Sequence, residues 1–472
     1  MSDANLGQSV VAALHSSNGS AGELGGEALT SSDLIAAAYQ LAAALRAARV
    51  IASEPVALFI SNKPHDLIGF LGLWLAGCVA VPIHTATPDR ALRTLITRVS
   101  ARFAVRTGKL DQIGAAPPPA RTLLDRAALI VFTSGSTGQP KGVVVGHEGL
   151  VWKLQVLSRL LRFTKHDVVA VPLQLTFIFG IWVSLLSLMS GSRLLLTPKF
   201  SAETMNSYAG ETTMLAAVPT LLRTLCADAP IRAARMRKIL TGGEPFSAAL
   251  AARLATLFPH ASPFDLFGLT ETGSCDFCAT PEDQPAALGT IGRPTEGVSF
   301  RIAESPSLGL PPGVGELQIC TPAAMLGYLD DTPLTAAAFD GCYFRTGDLA
   351  KVLESGYVQL VGRSKDVVSR GGNKIAPLEI ENLFAQHESV MAVLAFGMPD
   401  ERHGETLHVM VVPRKPDLSE DDLRAWSKER LERFKTPDVF HFVDALPAGR
   451  TGKADRAAAR LTLRNAGGRC NR

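Results

Sequence analysis

No sign of charge dominates this sequence. Lysine and arginine number 47 against 44 aspartates and glutamates, a net charge of +3. A dedicated nucleic-acid binder would carry a basic face or domain, so that class is set aside, while local positive sites for small anions stay open. Cysteine is sparse too. Seven are scattered at positions 78, 226, 275, 278, 320, 342 and 470. They make no disulfide framework, and their odd number suits a reducing compartment and a cytoplasmic location. Cys275-Asp276-Phe277-Cys278 has a zinc-like spacing, but no second Cys or His pair lies nearby, so a metal role is not expected there. The opening Met1-Ser2-Asp3-Ala4-Asn5 shows no basic stretch followed by an apolar one, so no secretory signal is expected. The uncharged run Leu67–Ile83 has 17 residues and contains Gly69, Gly72, Gly77 and Pro82. It stands at the lower limit for a bilayer span and reads as a buried helix turning into a strand. No internal repeat stands out.

What the chain does have is apolar residues, 47% of 472, enough for a large core shared by two or three domains. Short apolar runs recur at Val56–Ile60, Leu129–Phe132, Val168–Pro172, Arg193–Thr197, Met214–Val218 and Lys238–Leu240. Helical patterns such as Ser32–Ala48 and Thr220–Ala227 lie between them. The expected class is α/β, with helix-covered, mostly parallel sheets. From about Gly289 to Gly362 the pattern shifts to short alternating strands, a β-rich subdomain of the core at 1–363. Residues 364–472 read as a small, mobile C-terminal α+β domain. Its strands are expected at Val390–Phe396 and Leu407–Pro413, its helices at Pro377–Gln386 and at Ser419–Arg433, with Ser419 as N-cap.

The strongest local signal is Thr133-Ser134-Gly135-Ser136-Thr137-Gly138-Gln139-Pro140-Lys141-Gly142. Glycines let the backbone approach an anion and turn several N–H groups toward it. The hydroxyls add donors and Lys141 adds a mobile charge. Apolar runs on either side, Leu129–Phe132 and Val143–Val145, read as strands. The loop is not a Walker A motif: Pro140 stands where glycine is required, and Gly142 follows the lysine in place of Ser or Thr.

This loop resembles the signature of the adenylate-forming superfamily, which includes acyl-CoA synthetases, peptide-synthetase adenylation domains and luciferases, and the resemblance extends in order over nearly the whole chain. It implies ATP and Mg²⁺ as cofactors. Gly242-Gly243-Glu244-Pro245 matches the adenine-side segment. Phe267-Gly268-Leu269-Thr270-Glu271 matches the segment that stacks on adenine, bonds phosphate through Thr270 and holds the metal through Glu271. Phe267 replaces the usual tyrosine, keeping the stacking face and losing the hydroxyl. By the same resemblance Asp348, in Thr346-Gly347-Asp348, accepts from both ribose hydroxyls, and Arg363 adds a second ribose contact. Lys365 falls at the hinge, Gly372 on the passage for the pantetheine arm, and Lys453 at the adenylation lysine.

The implied function is activation of a carboxylic acid to an acyl-adenylate, followed by thioester formation with coenzyme A. A freestanding ligase that loads a carrier-protein phosphopantetheine is the alternative; this chain ends without a carrier domain, so a carrier protein would act in trans. A luciferase-like oxygenase and a non-catalytic nucleotide binder are the remaining readings. The acid pocket is expected around Gln174, Thr176, Phe177, Ile178 and Phe179. Thr176 aligns with a gating histidine of many relatives, so that gate is absent. No acidic residue occurs between Pro172 and Gly191 to pair an α-ammonium group, which disfavours a standard α-amino acid and leaves an apolar aryl or aliphatic acid. His147, just beyond the loop, is expected to be a turn or packing residue, because the acid is already ionised at neutral pH.

Overall fold

A computed structural model describes residues 5–17, 20–23, 28–133, 140–198, 201–227, 235–305, 309–447 and 454–467. Ser134, Gly135, Ser136, Thr137, Gly138 and Lys453, all singled out above, lie outside the described residues.

Two large sheets organise the first three hundred residues. In the nine-stranded sheet, among the described residues, five parallel strands run side by side in the order Ser262–Phe267, Lys238–Gly242, Met214–Ala216, Val168–Val171 and Arg193–Leu196. Ser20–Glu23 extends them in parallel, and antiparallel strands close both edges. The seven-stranded sheet has a parallel centre of Ala127–Thr133, Val79–His84, Pro55–Ile60 and Phe103–Arg106. Pro55–Ile60 is buried at every position, as expected of a strand covered on both faces, which explains its unbroken apolar run.

Helices fill the space between the sheets and cover their outer faces. One core cluster joins side chains of both sheets to the helices Leu6–Ser16, Ser31–Ala47, Pro64–Leu75, His147–Leu161 and Ile178–Met189. A second packs the far face of the larger sheet against Pro219–Ala227 and Ala248–Leu257. A third packs the smaller sheet against Asp89–Val99. Helix starts follow local chemistry: Thr30 and Asp33 form a capping box at Ser31–Ala47, and Pro64 occupies the first turn of its helix. Leu67–Ile83 is the helix-to-strand passage expected, and among the described residues no helix is long and apolar enough to cross a membrane.

The β-rich segment forms an antiparallel sheet from Ser299–Ala303, Gly315–Cys320, Phe339–Asp340, Tyr343–Val352 and Val358–Arg363. Here one expectation is corrected. Cys320 and Cys342, 22 positions apart, are joined by a disulfide across the Gly315–Cys320 and Tyr343–Val352 edge, with Cα atoms 5.3 Å apart. Strand register brings them together, and the spacing alone carries no sign of it. Cys78, Cys226, Cys275 and Cys278 are buried free thiols.

Residues beyond Arg363 build a separate sheet with its own core around Val368, Ile380, Phe384, Val409 and Phe440. Its long strands are Val390–Asp400 and Gly404–Pro413, and Ser419 caps the helix Glu420–Lys428. That helix ends earlier than the expected Arg433, and a 3₁₀ turn at Arg433–Lys435 follows.

Candidate active site

Open parallel sheets place ligands at the carboxyl ends of their strands. Three of the expected segments leave neighbouring parts of the larger sheet at that edge. Gln174–Phe179 follows Val168–Val171, Gly242–Pro245 ends Lys238–Gly242, and Phe267–Glu271 ends Ser262–Phe267. Gly242 pairs with Leu266 across the last two strands.

The Phe267–Asp276 turn is closed by its own backbone. Ser274 N–H donates to Leu269 O at 2.8 Å, and Asp276 N–H donates to Phe267 O at 2.7 Å. Gly268 has no alternative, because a Cβ there would stand 2.3 Å from Cys275 N. Beneath the turn the Lys153 ammonium lies 2.9 Å from Asp276 Oδ1 and donates to Cys275 O at 3.3 Å. Both side chains are fully buried. Thr272 donates its hydroxyl to the other Asp276 oxygen. Thr270–Thr272 forms a 3₁₀ turn that carries Glu271. Phe267 stacks edge-on against Phe277, with ring centroids 6.1 Å apart.

The expected phosphate loop leaves the smaller sheet. Thr133 and Lys141 face each other in register on antiparallel strands, the last described pair of a hairpin. Arg98 donates to Pro140 O, fastening the loop's exit to the helix Asp89–Val99. Tyr328, which the sequence reading did not single out, links this hairpin to the Glu271 turn. Its hydroxyl donates to Glu271 Oε1 at 3.1 Å, and the Lys141 ammonium stands 5.2 Å from its ring centroid.

Asp348 and Arg363 are register partners on adjacent strands. Arg363 Nε is 2.7 Å from Asp348 Oδ1, so the two expected ribose contacts already form an ion pair. Burial pushes the Asp348 carboxyl up, and Arg363 opposes the shift. Glu244 is engaged elsewhere: one carboxylate oxygen accepts from Thr220 N–H at 3.1 Å, from Thr220 Oγ1 at 2.7 Å and from Arg223 at 2.8 Å. It fixes the start of the helix Pro219–Ala227. Gly243 and Pro245 are exposed.

In the expected acid pocket, Ile178 and Phe179 open the helix Ile178–Met189, Phe177 caps it and is 43% exposed, and Thr176 is half-buried. The buried Asn62 holds the approach to it, donating to Leu173 O at 2.8 Å and accepting from Leu175 N–H at 2.9 Å. Gln174 Oε1 and Trp182 Nε1 are buried without a partner among the described residues. His147 is half-buried, and its Nδ1 accepts from Leu6 N–H at 3.2 Å. Burial lowers its pKa to about 4, which keeps the ring neutral in a packing role.

Lys365 is exposed in the 3₁₀ turn Ser364–Asp366, directly after the strand Val358–Arg363. Gly372 is exposed in the turn between Val368–Arg370 and Asn373–Ile375. In this arrangement a Cβ would meet nothing within 4 Å, and the φ of +84° is what demands glycine.

Asp265 was also missed. It pairs in register with Thr241, so the two side chains share a sheet face, and the buried Thr241 hydroxyl has no partner among the described residues. Burial raises the Asp265 pKa to about 8. An unfolded aspartate loses its proton near 3.8, so between that pH and about 8 the folded chain holds a proton that the unfolded chain releases. This contribution is complete below the lower value and is lost as pH rises through the upper one. Asp265→Asn should therefore gain thermal stability over the parent as pH is raised through that window. A melting-temperature difference that stays constant with pH would contradict the assignment.

The profile for AMP-binding enzymes matches residues 12–329, and that for the AMP-binding enzyme C-terminal domain matches 379–453. A feruloyl-CoA synthase of Amycolatopsis is 31% identical over 91% of this chain and 93% of its own. The structure of ATP-bound MatB from Rhodopseudomonas palustris superposes with a TM-score of 0.87 at 25% identity, covering 98% of this chain and 99% of that one. The o-succinylbenzoate coenzyme A synthetase of Bacillus subtilis, in complex with ATP and magnesium, shares the fold at a TM-score of 0.81 and 24% identity, over 96% of this chain and 98% of its own. With both profiles matched in order and the glycine-loop hairpin facing the Glu271 turn, the chain belongs to the AMP-binding enzyme family, the adenylate-forming superfamily.

Proposed function

We propose that this protein is an AMP-forming acid–thiol ligase that joins an apolar aryl or aliphatic carboxylic acid to coenzyme A, using ATP. The observation that carries the reading is the meeting of Lys141 and Glu271 on one tyrosine, at the mouth of the glycine-loop hairpin. A lysine beside a loop of backbone donors suits a phosphate chain, and a carboxylate with one oxygen unbonded among the described residues suits a hard cation. Glu271 would hold Mg²⁺, which when bound neutralises phosphate charge.

The residues then have defined tasks. Phe267 offers a face to adenine, and Asp348 with Arg363 presents charged groups to the ribose. Thr133, Thr270 and Lys141 donate to phosphate oxygens, as do Ser134, Gly135, Ser136, Thr137 and Gly138 of the loop. In the first half-reaction a carboxylate oxygen attacks the α-phosphorus and pyrophosphate leaves; Lys453 stabilises the charge that gathers there. In the second, the thiol attacks the acyl carbonyl and AMP leaves. The small domain, 364–472, turns about Lys365 between the two, which exchanges Lys453 for Gly372. Catalysis here is positioning and electrostatics, with no protein nucleophile.

Phe177, Ile178 and Phe179, at the start of the helix that follows the segment Asn62 anchors, support an aryl or aliphatic acid. The feruloyl-CoA synthase relative supports the aryl option and coenzyme A as acceptor. A cytoplasmic location fits a supply of both ATP and coenzyme A. The test is acid-dependent ATP–pyrophosphate exchange over a panel of aryl and alkyl acids, followed by acyl transfer with coenzyme A and with a phosphopantetheinylated carrier protein in separate reactions. The expected result is exchange with aryl acids and thioester on coenzyme A. Transfer to the carrier protein alone would reject the proposed acceptor, and an absence of exchange with every acid would reject the ligase.

A further inference from the structure

Tyr328 lies on a segment stitched to both halves of the proposed phosphate and metal site. Met325 N–H donates to Glu271 O at 2.7 Å, while Leu326 N–H and Leu329 N–H donate to Val144 O and Gly142 O, each at 2.8 Å. The short strand Gly327–Tyr328 pairs antiparallel with Lys141–Gly146, and Tyr328 N–H donates to Thr335 Oγ1 at 2.9 Å. One segment therefore fixes the Glu271 turn and the Lys141 strand relative to each other. Its tyrosine is 6% exposed.

The side chain does what neither backbone contact can. Its hydroxyl donates to Glu271 Oε1 at 3.1 Å, and its ring lies beneath the Lys141 ammonium at 5.2 Å. A phenol is neutral at physiological pH, so the hydroxyl acts as a neutral donor. A neutral donor orients the carboxylate without cancelling its charge and leaves the second oxygen open. A ring face attracts an ammonium weakly, without using any of its N–H donors.

We propose that Tyr328 is a positioning residue that holds the metal-binding carboxylate and the loop lysine in separate, fixed places. This rests on the assignment of Glu271 to Mg²⁺ above. Without the tyrosine, the two opposite charges are free to approach one another, and each would be lost to its ligand.

The test is calorimetric titration of the full-length protein with a nonhydrolysable ATP analogue, with and without Mg²⁺, beside the Mg²⁺ dependence of pyrophosphate exchange. For Tyr328→Phe the metal-free affinity and the KM for the acid should be unchanged. The gain in affinity on adding Mg²⁺ should fall about tenfold, as is usual when the partner of a metal ligand is removed, and the Mg²⁺ needed for half-maximal exchange should rise about tenfold. Tyr328→Leu, which also removes the ring under Lys141, should in addition weaken metal-free binding. Thr335→Ala loosens the same segment and keeps the hydroxyl, and its Mg²⁺ dependence should match the parent. A normal Mg²⁺ gain in Tyr328→Phe overturns the proposal, as does an equal loss in Thr335→Ala. A parent protein that binds the analogue with no Mg²⁺ gain and exchanges with no acid overturns the functional reading instead.

Discussion

Lys453→Ala is expected to abolish acid-dependent pyrophosphate exchange and to spare thioester formation from a synthetic acyl-adenylate. Removing one well-placed donor from a site where charge develops costs roughly 3–4 kcal/mol of barrier, a factor of about 10²–10³ in rate. The split arises because the lysine is proposed to act only while carboxylate and phosphate approach each other. Lys453 itself lies outside the described residues; the described residues on either side of its segment are fastened together. Asp455 N–H donates to Pro447 O at 2.9 Å, which closes the base of the segment that carries it. Arg456 then anchors that base, 3.2 Å from Asp366 and 2.6 Å from Glu381. Asp366 directly follows Lys365, so the base of that segment is tied to the proposed hinge, as the proposed turning of the small domain requires. Measurement of both half-reactions in one variant checks this. Normal exchange, or equal loss of both halves, contradicts the assignment.

The features legible in the sequence share one property: they are local. The buried strands show as apolar runs because both faces are covered, as in Pro55–Ile60. The glycine loop and the Phe267–Glu271 motif show because anion binding and a tight turn each need particular residues in a row. Pairings across the fold do not show. Tyr328 and Glu271 are 57 positions apart, Lys153 and Asp276 are 123 apart, and Asn62 and Leu173 are 111 apart. Each depends on which strands neighbour each other and in what register, which the chain pattern does not encode locally. The Cys320–Cys342 bond was missed for the same reason. Glu244 illustrates the converse. Its motif points to the nucleotide, yet its carboxylate serves a helix start, because Thr220 and Arg223 reach it first.

Lys153→Met should destabilise the protein by about 3–5 kcal/mol, since removing one member of a buried ion pair leaves the other charge without compensation. The partner here is Asp276, fully buried and held by Lys153 and Thr272. Asp276→Leu should cost a similar amount, because it strands the ammonium. The double variant Lys153→Met/Asp276→Leu should recover much of the loss, as apolar pairs of matching volume often do in place of buried ions. Denaturant unfolding of all four proteins gives the coupling energy directly. Activity should not recover in step. The pair bridges the helix that follows the glycine-loop hairpin and the turn that carries Thr270 and Glu271, with Lys153 also bonded to Cys275 O. An apolar pair restores the packing but supplies neither the bond to that carbonyl nor the one from Thr272, so the turn that carries Glu271 is held less firmly. A double variant that regains stability with exchange still reduced about tenfold at saturating ATP is the expected result, because the turn that carries the proposed metal ligand is held less firmly. Full recovery of both would reduce the ion pair to core packing, and additive losses in the two single variants would show that the charges do not depend on each other.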